Sequence, residues 1–264
     1  MIPTEILAPF SGAIVGLVLG LVGGGGSILA VPLLIYVVGI GSTHMALGTS
    51  AMAVALTAIA NLVPHWRAGK IKWPCAAVFS VTGIIGAFAG SSIAKIVEGD
   101  SLLLLFGLLM LIVGLAMLFG QNGEGDPEIR LTSKTASALL PRLIPAGFGV
   151  GALSGFFGIG GGFLIVPGLI FATGMPLSFA IGTSLVAVAA FGATTAANYA
   201  ISGLVDWPIA GMFIAGGAVG GVAGAMIGKL LGKNRHALRY VFAGVVMVVG
   251  LWIVWQGLAA AGML

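Results

Sequence analysis

The chain has 264 residues, 59% of them hydrophobic and 7% charged, with a formal net charge of +4 and a mean hydropathy of +1.19. A soluble domain of this length could not cover its surface with so few charges, so the composition excludes a water-soluble globular protein. The basic residues stand in short loops, where they orient a membrane protein in its bilayer, and no nucleic-acid partner is expected.

The apolar segments predict a multi-pass helical membrane protein. A plain count gives eight segments, over residues 6–38, 44–64, 73–97, 101–119, 142–172, 178–200, 207–230 and 238–260. Their apolar runs are continuous, which favours helices over the alternating pattern of a transmembrane barrel.

The second half of the chain repeats the first. Gly48-Thr49-Ser50 recurs as Gly182-Thr183-Ser184 at an offset of 134 residues, and Pro32 recurs as Pro167 at an offset of 135. A polar segment between the halves has the composition of an exposed linker. We therefore predict a transmembrane repeat over residues 1–119, a cytoplasmic linker over 120–141 and a second transmembrane repeat over 142–264.

Each half opens with an apolar segment that a run of glycines interrupts. Glycine is about 1 kcal/mol worse than alanine in a helix interior, so these runs predict a bend. In the first half, arms over residues 6–22 and 27–38 would measure about 25 Å and about 18 Å, and the second is too short for a core of about 30 Å. We predict that each glycine segment is a helical hairpin that enters and leaves on one side.

The loop charges support the hairpins. If both glycine segments crossed the membrane, the 11 Lys and Arg residues would divide 6 to 5 between the two faces. With hairpins, Lys95 alone lies opposite the others, which is a strong positive-inside bias. We therefore place the basic loops in the cytoplasm and both termini outside. The predicted fold is an all-α polytopic membrane protein of two inverted repeats, each a Gly-broken helical hairpin plus three transmembrane helices.

A known family carries the same motifs. The pattern G-x-x-G-G-G-G-x-x-x-x-V-P-x-L, then A-x-G-T-S and G-x-I-x-W-P, resembles the TauE/SafE sulfite exporter family, also called the toluene sulfonate uptake permeases. Both halves carry a version of the pattern, and the resemblance covers nearly the whole chain. It implies transport of sulfite, sulfonates or related organosulfur anions, and we expect a bacterial inner (plasma) membrane.

The two hairpin tips are the predicted substrate site. Unpaired N–H groups at a helix N-terminus, starting near Ser27 and near Phe163, favour a bound anion, and glycine lets the backbone approach it. The alternative is that the glycines only permit close helix crossing. The predicted substrate-binding residues are Gly23, Gly24, Gly25, Gly26, Ser27, Thr49, Ser50, Asn61, Gly160, Gly161, Gly162, Thr183, Ser184 and Asn198.

The polar members of this set have alternative roles. The Thr-Ser pairs follow the hairpins and could donate to sulfite or sulfonate oxygens, or could bond back to their own helices. Asn61 and Asn198 could line the path or join two helices. His65 and Arg67 end the second helix of the first half and could form a gate or mouth, or anchor the membrane interface beside Trp66.

These residues predict a secondary transporter of small anions that works by alternating access between two pseudo-symmetric halves. The alternatives are an anion channel with a glycine-lined pore and a non-transport membrane scaffold. The sequence has no paired membrane carboxylates and no phosphate-binding motif, so we expect no enzymatic activity, no cofactor and no metal site. The expected partners are a small anionic substrate and the lipid bilayer, and homo-oligomerisation is left open.

Overall fold

The structure is a computed structural model that describes residues 4–22, 24–119, 126, 128–129, 131–160, 162–230 and 235–260. The helices are α1 (Thr4–Val22), α2 (Ala30–Pro32), α3 (Thr43–Arg67), α4 (Trp73–Ala94), α5 (Gly99–Phe119), α6 (Ala136–Phe156), α7 (Gly162–Thr173), α8 (Leu177–Ile201), α9 (Trp207–Leu230) and α10 (Arg235–Ala260). A 3-10 helix over Gly24–Leu29 and a π-helix over Leu33–Val37 flank α2. These residues contain no strand.

Helix length sorts these elements into two groups. Within the described residues, 7 helices are long and apolar enough to cross a membrane, namely α1, α3, α4, α5, α6, α8 and α9. In contrast, α7 has 12 residues and measures about 18 Å, too short for a hydrocarbon core of about 30 Å. The predicted class, an all-α multi-pass membrane protein, is confirmed.

Helices α3 and α8 end in the same way, at equivalent glycines. Gly69 has φ +65° and Gly203 has φ +69°, a conformation that glycine adopts without strain. The amide of the next residue then bonds back five residues, from Lys70 to His65 and from Leu204 to Tyr199. This arrangement satisfies carbonyls that a helix end otherwise leaves unpaired, and it turns the chain into the following loop.

Small residues let two pairs of helices from opposite halves pack closely, α1 with α9 and α6 with α4. Helix α1 lies along α9, where Gly16 contacts the backbone of Gly217, and α6 lies along α4, where Gly151 contacts the backbone of Gly83. In each pair, residues further along one helix contact residues further along the other, so the two helices run parallel. A Cβ atom on either glycine would overlap the facing carbonyl, which explains why the sequence keeps glycine at these crossings.

Two further pairs of helices run in opposite directions, α3 with α8 and α5 with α10. Helix α3 packs on α8, with Gly48 beside Tyr199 and Gly182 beside His65. Helix α5 packs on α10 with the same reversal, because Gly107 contacts Val254 and Gly257 contacts Leu104. These two pairs of helices are therefore antiparallel.

The bundle has two ends, which we call the linker face and the far face. At the linker face, the amide of Asp126 in the linker donates to the carbonyl of Gly174, the residue after α7. At the far face, Nε2 of His44 lies 3.2 Å from the carbonyl oxygen of Ala94 and 3.1 Å from that of Val97. The start of α3 and the end of α4 therefore meet at the far face.

The chain reverses direction in both glycine segments. In the second half, Gly168 of α7 lies against Val150 of α6. In the first half, the segment after α1 folds back so that Gly26 lies against the backbone of Leu19. We call these pairs of arms the first and second hairpins.

Two boundaries differ from the sequence prediction. The second arm of the first hairpin was expected to be a helix over residues 27–38, but it divides into 3-10, α and π turns. The four glycines that precede this arm and Pro32 within it both disfavour regular α-helix. Helix α6 begins at Ala136, inside the predicted linker. Residues 136–140 are alanine, leucine and one serine, and alanine and leucine have high helix propensity.

Candidate functional site

The second hairpin tip is a turn of left-handed glycines that leads into α7. Gly158 has φ +62° and Gly160 has φ +64°. A Cβ atom on Gly158 would lie 2.6 Å from the Cβ atom of Leu47, and one on Gly160 would lie 2.8 Å from Cγ1 of Val54. Backbone conformation and lack of space therefore both require glycine here.

This tip lies at the middle of the bundle. Gly160 is close to Val54 of α3 and Val188 of α8, equivalent residues of the two halves. Each valine is within one residue of the midpoint of its 25-residue helix. The N-terminus of α7, with amides that have no acceptor within the helix, follows at Gly162. The tip therefore brings a helix N-terminus to mid-depth between the two halves.

The first hairpin tip approaches the same region. The 3-10 segment that holds Gly24, Gly25, Gly26 and Ser27 contacts α7 and α8. Ser27 is fully buried. A Cβ atom on Gly26 would lie 2.5 Å from the backbone nitrogen of Leu19, so glycine allows this tip to rest on α1. The structure thus brings the two predicted tips together, although Gly23 and Gly161 lie outside the described residues.

The threonines of the two Thr-Ser pairs hold loops of the opposite half. Oγ1 of Thr183 accepts a 3.0 Å hydrogen bond from the amide of Lys72. Oγ1 of Thr49 accepts a 3.0 Å hydrogen bond from the amide of Asp206, which is the counterpart of Lys72. Both threonines are fully buried. Their oxygens therefore join the halves at the two ends of the α3–α8 pair, a role the sequence did not indicate.

The serines of the two pairs differ from each other. Oγ of Ser184 donates to the carbonyl of Ile181 at 2.8 Å, one of the back-bonded roles considered for it. Oγ of Ser50 is buried and has no hydrogen-bond partner. Ser50 is three residues after Leu47 and four before Val54, so it shares the face of α3 that contacts the second tip. An unpaired donor therefore lies on the face towards the glycine turn.

The surroundings of this region are neutral. Helix α3 carries charge only at its last residue, Arg67, and α8 has no charged residue. The buried Lys72 at the linker face lies over the ring of Phe179, with Nζ 4.3 Å from the centroid. An anion at the tip would therefore be held by amides, hydroxyls and the N-terminal end of the α7 dipole.

Asn198 joins two helices at the far face. Its Nδ2 atom donates to Oγ of Ser91 at 2.7 Å and to Oγ of Ser92 at 3.0 Å. Nζ of Lys95 donates to Oδ1 of Asn198 at 2.8 Å and to Oγ of Ser202 at 3.0 Å. Of the two roles considered for Asn198, these contacts favour helix joining. The sequence prediction missed Ser91, Ser92 and Ser202, although Ser91, Ser92 and Lys95 share one helical face.

The other polar candidates lie towards the linker face. Nδ2 of Asn61 donates to the carbonyl of Thr57 in its own helix at 3.0 Å, and its amide lies against Gly221 of α9. Nδ1 of His65 donates to the carbonyl of Asn61 at 3.0 Å. Arg67 is exposed at the end of α3. His65 and Arg67 therefore stand near one end of the bundle, as their predicted position requires.

The fold defines a class of protein, a multi-pass helical membrane protein with two hairpins. The sequence profile of the sulfite exporter TauE/SafE family matches residues 8–253. The chain belongs to this family, which confirms the resemblance found in its glycine motifs.

Relatives carry names that agree with this class. A probable membrane transporter protein of Xylella fastidiosa (strain Temecula1) is 49% identical over 255 residues, covering 95% of both chains. The probable membrane transporter protein YunE of Bacillus subtilis is 26% identical over 219 residues, covering 74% of this chain and 78% of its own. The probable membrane transporter protein MJ0441 of Methanocaldococcus jannaschii is 28% identical over 190 residues, covering 70% of this chain and 67% of its own. No solved structure matches the chain.

Proposed function

We propose that this membrane transporter is a secondary transporter of small anions, with sulfite, sulfonates or other organosulfur anions as its substrates. The family name supports the choice of a sulfur oxyanion. The chemistry of the site supports an anion with several oxygen atoms, since amides and hydroxyls at a helix N-terminus donate hydrogen bonds to such oxygens.

The observation that carries this proposal is the position of Gly160 between Val54 and Val188. It puts the N-terminal end of α7 at mid-depth, in contact with both halves. Secondary transporters commonly bind their substrates at this depth, at discontinuous helices whose N-termini point at anionic groups. The proposed substrate site comprises the two tips and Ser50, and Ser184 and the two threonines would flank it, because their hydroxyls already form hydrogen bonds within the protein.

The mechanism we propose is alternating access between two inverted halves. Equivalent helices that pack antiparallel, as α3 with α8 and α5 with α10, support a pseudo-twofold axis in the membrane plane. In this account α1 moves with α9, and α6 moves with α4, because each pair is locked by glycine contacts. Motion would then occur at the α3–α8 contact, where the tips meet.

The proposed orientation places the linker face in the cytoplasm of a bacterium and both termini outside. The basic residues Arg67, Lys70, Lys72, Lys134 and Arg142 support this side, since they follow or precede helices that end at the linker face. Lys95 lies at the far face beside Ser202. The two mouths of the path would then be flanked by polar side chains, with Asn198 at the far face and Asn61, His65 and Arg67 at the linker face.

Flux measurements on purified protein in liposomes test the function. We expect saturable uptake of sulfite, a sulfonate or thiosulfate, and acceleration of labelled uptake by unlabelled substrate on the other side. No flux of any of these anions would contradict the proposal. Sustained unitary currents without counterflow would instead establish the alternative, an anion channel.

A further inference from the structure

An open groove runs between the two arms of the second hairpin. It encloses about 530 Å³, and its walls include Pro145 and Val150 of α6 and Pro167 and Phe171 of α7. Every residue that lines it is apolar except Arg142. We call it the α6/α7 groove.

The groove opens towards the lipid, in the half of the bundle next to the linker face. Phe171 in its wall is 83% exposed, which fits a side chain that faces lipid. Arg142 stands six residues after the start of α6 at Ala136, or about 9 Å along the helix. A side chain as long as arginine can reach the membrane interface from that depth, with its stem against apolar surface.

The first hairpin has different side chains at the equivalent positions. At an offset of 135, Leu7 replaces Arg142, Phe10 replaces Pro145 and Leu33 replaces Gly168. Tyr36, the counterpart of Phe171, packs edge to face on Trp252 of α10 with ring centroids 4.3 Å apart. The protein therefore covers this arm with its own aromatic ring, whereas it leaves the arm of the second hairpin bare.

We propose that the α6/α7 groove binds an anionic phospholipid, with an acyl chain in the groove and the phosphate at Arg142. Arginine recognises phosphate through two parallel hydrogen bonds, and basic pockets between membrane helices bind anionic head groups. The apolar walls below Arg142 match an acyl chain, and because the bilayer is equally apolar, the preference for one lipid comes from the head group at Arg142.

The prolines of α6 supply an acceptor in the same place. Pro145 has no amide hydrogen, so the carbonyl of Pro141 lacks its usual donor four residues later in the helix. Pro141 lines the groove beside Arg142. A hydroxyl on the head group can donate to this carbonyl, so the chemistry favours a glycerol head group such as that of phosphatidylglycerol.

The test compares lipids that differ only in their head group. Phosphatidylglycerol or phosphatidylcholine with identical acyl chains is added to delipidated protein. The proteins compared are the wild type, Arg142→Gln, Arg142→Lys and Arg67→Gln. The apparent affinity for each lipid is read from the rise in melting temperature. Arg67 is the matched control, because it is exposed at the linker face but does not line the groove. We expect wild type to prefer phosphatidylglycerol, Arg142→Gln to lose about tenfold in affinity for it, Arg142→Lys to lose less because it keeps the charge but not the two parallel hydrogen bonds, and Arg67→Gln to keep the preference.

Two results would overturn the proposal: an unchanged preference in Arg142→Gln, or an equal loss in Arg67→Gln, which would indicate general surface electrostatics. A photoreactive phosphatidylglycerol gives a second measurement that does not depend on stability. Its crosslinks in wild type should map to residues 141–171 and should decrease in Ala146→Leu, which fills the groove. Crosslinks that map only elsewhere would also refute the site.

Discussion

The Oγ1 atom of Thr49 accepts a 3.0 Å hydrogen bond from the amide of Asp206, across 157 residues of sequence. Its counterpart Thr183 accepts the same bond from Lys72. Each half therefore holds the loop of the other, and the two bonds lie at opposite ends of the α3–α8 contact. They are the most direct structural expression of the internal duplication.

The first prediction concerns these threonines. Thr49→Val and Thr183→Val each leave a buried amide without its acceptor, so each should lower the free energy of unfolding by about 1–3 kcal/mol. Thr194→Val is the control, because Oγ1 of Thr194 donates only to the carbonyl of Ala190 in its own helix. Thermal unfolding of the purified variants checks this, and equal melting temperatures for all three variants would contradict it.

The second prediction concerns the parallel helix pairs. Gly151→Ala would put a Cβ atom 2.5 Å from Cα of Gly83, and the overpacking should cost about 1–3 kcal/mol or prevent assembly. Gly211→Ala in α9 meets nothing within 4 Å, so it should be neutral or slightly stabilising. The yield of monodisperse protein and its melting temperature distinguish these outcomes. Equal behaviour of the two variants would show that α4 and α6 do not cross in close contact at Gly151.

The third prediction concerns the far-face cluster. Asn198 and Lys95 share a hydrogen bond of 2.8 Å, so their effects on stability should not add. A double-mutant cycle with Asn198→Leu and Lys95→Met should give a coupling energy of about 0.5–3 kcal/mol. Melting temperatures of the wild type, both single variants and the double variant supply the cycle. Purely additive effects would mean that the bond does not join α4 to α8.

Much of this architecture could be predicted from the sequence. The apolar segments indicated the membrane class, and the repeated glycines indicated that the chain turns back at both hairpins. The contact of Gly26 with Leu19 and of Gly168 with Val150 matches those turns. These features depend on local composition and on short-range spacing, which a single sequence displays.

The cross-half contacts could not be predicted in the same way. The sequence favours Thr49 and Thr183 as donors to a substrate or to their own helices, whereas their oxygens accept from loops 157 and 111 residues away. Asn198 likewise finds its partners on α4. Such pairings depend on which helices become neighbours, and local spacing carries no information about that.

The fourth prediction tests the orientation. Cys75 is the only cysteine and is buried, so a Cys75→Ser background permits single-cysteine labelling. Lys134→Cys before α6 and Leu177→Cys after α7 flank the second hairpin and should react with a membrane-impermeant reagent from the same side, with Gly41→Cys before α3 reacting from the other. Labelling of Lys134→Cys and Leu177→Cys from opposite sides would show that α6 and α7 cross the membrane as one segment and would contradict the second hairpin.

The central claim is that the second hairpin tip binds the anion, and ligand-induced stabilisation tests it most directly. A sulfur oxyanion at 100 times its dissociation constant should stabilise wild type by about 2.7 kcal/mol. Gly149→Ala meets nothing within 4 Å and should keep this gain. Gly160→Ala should lose most of it, since Gly160 has φ +64° and faces Val54. A gain in Gly160→Ala equal to that of wild type would contradict the claim.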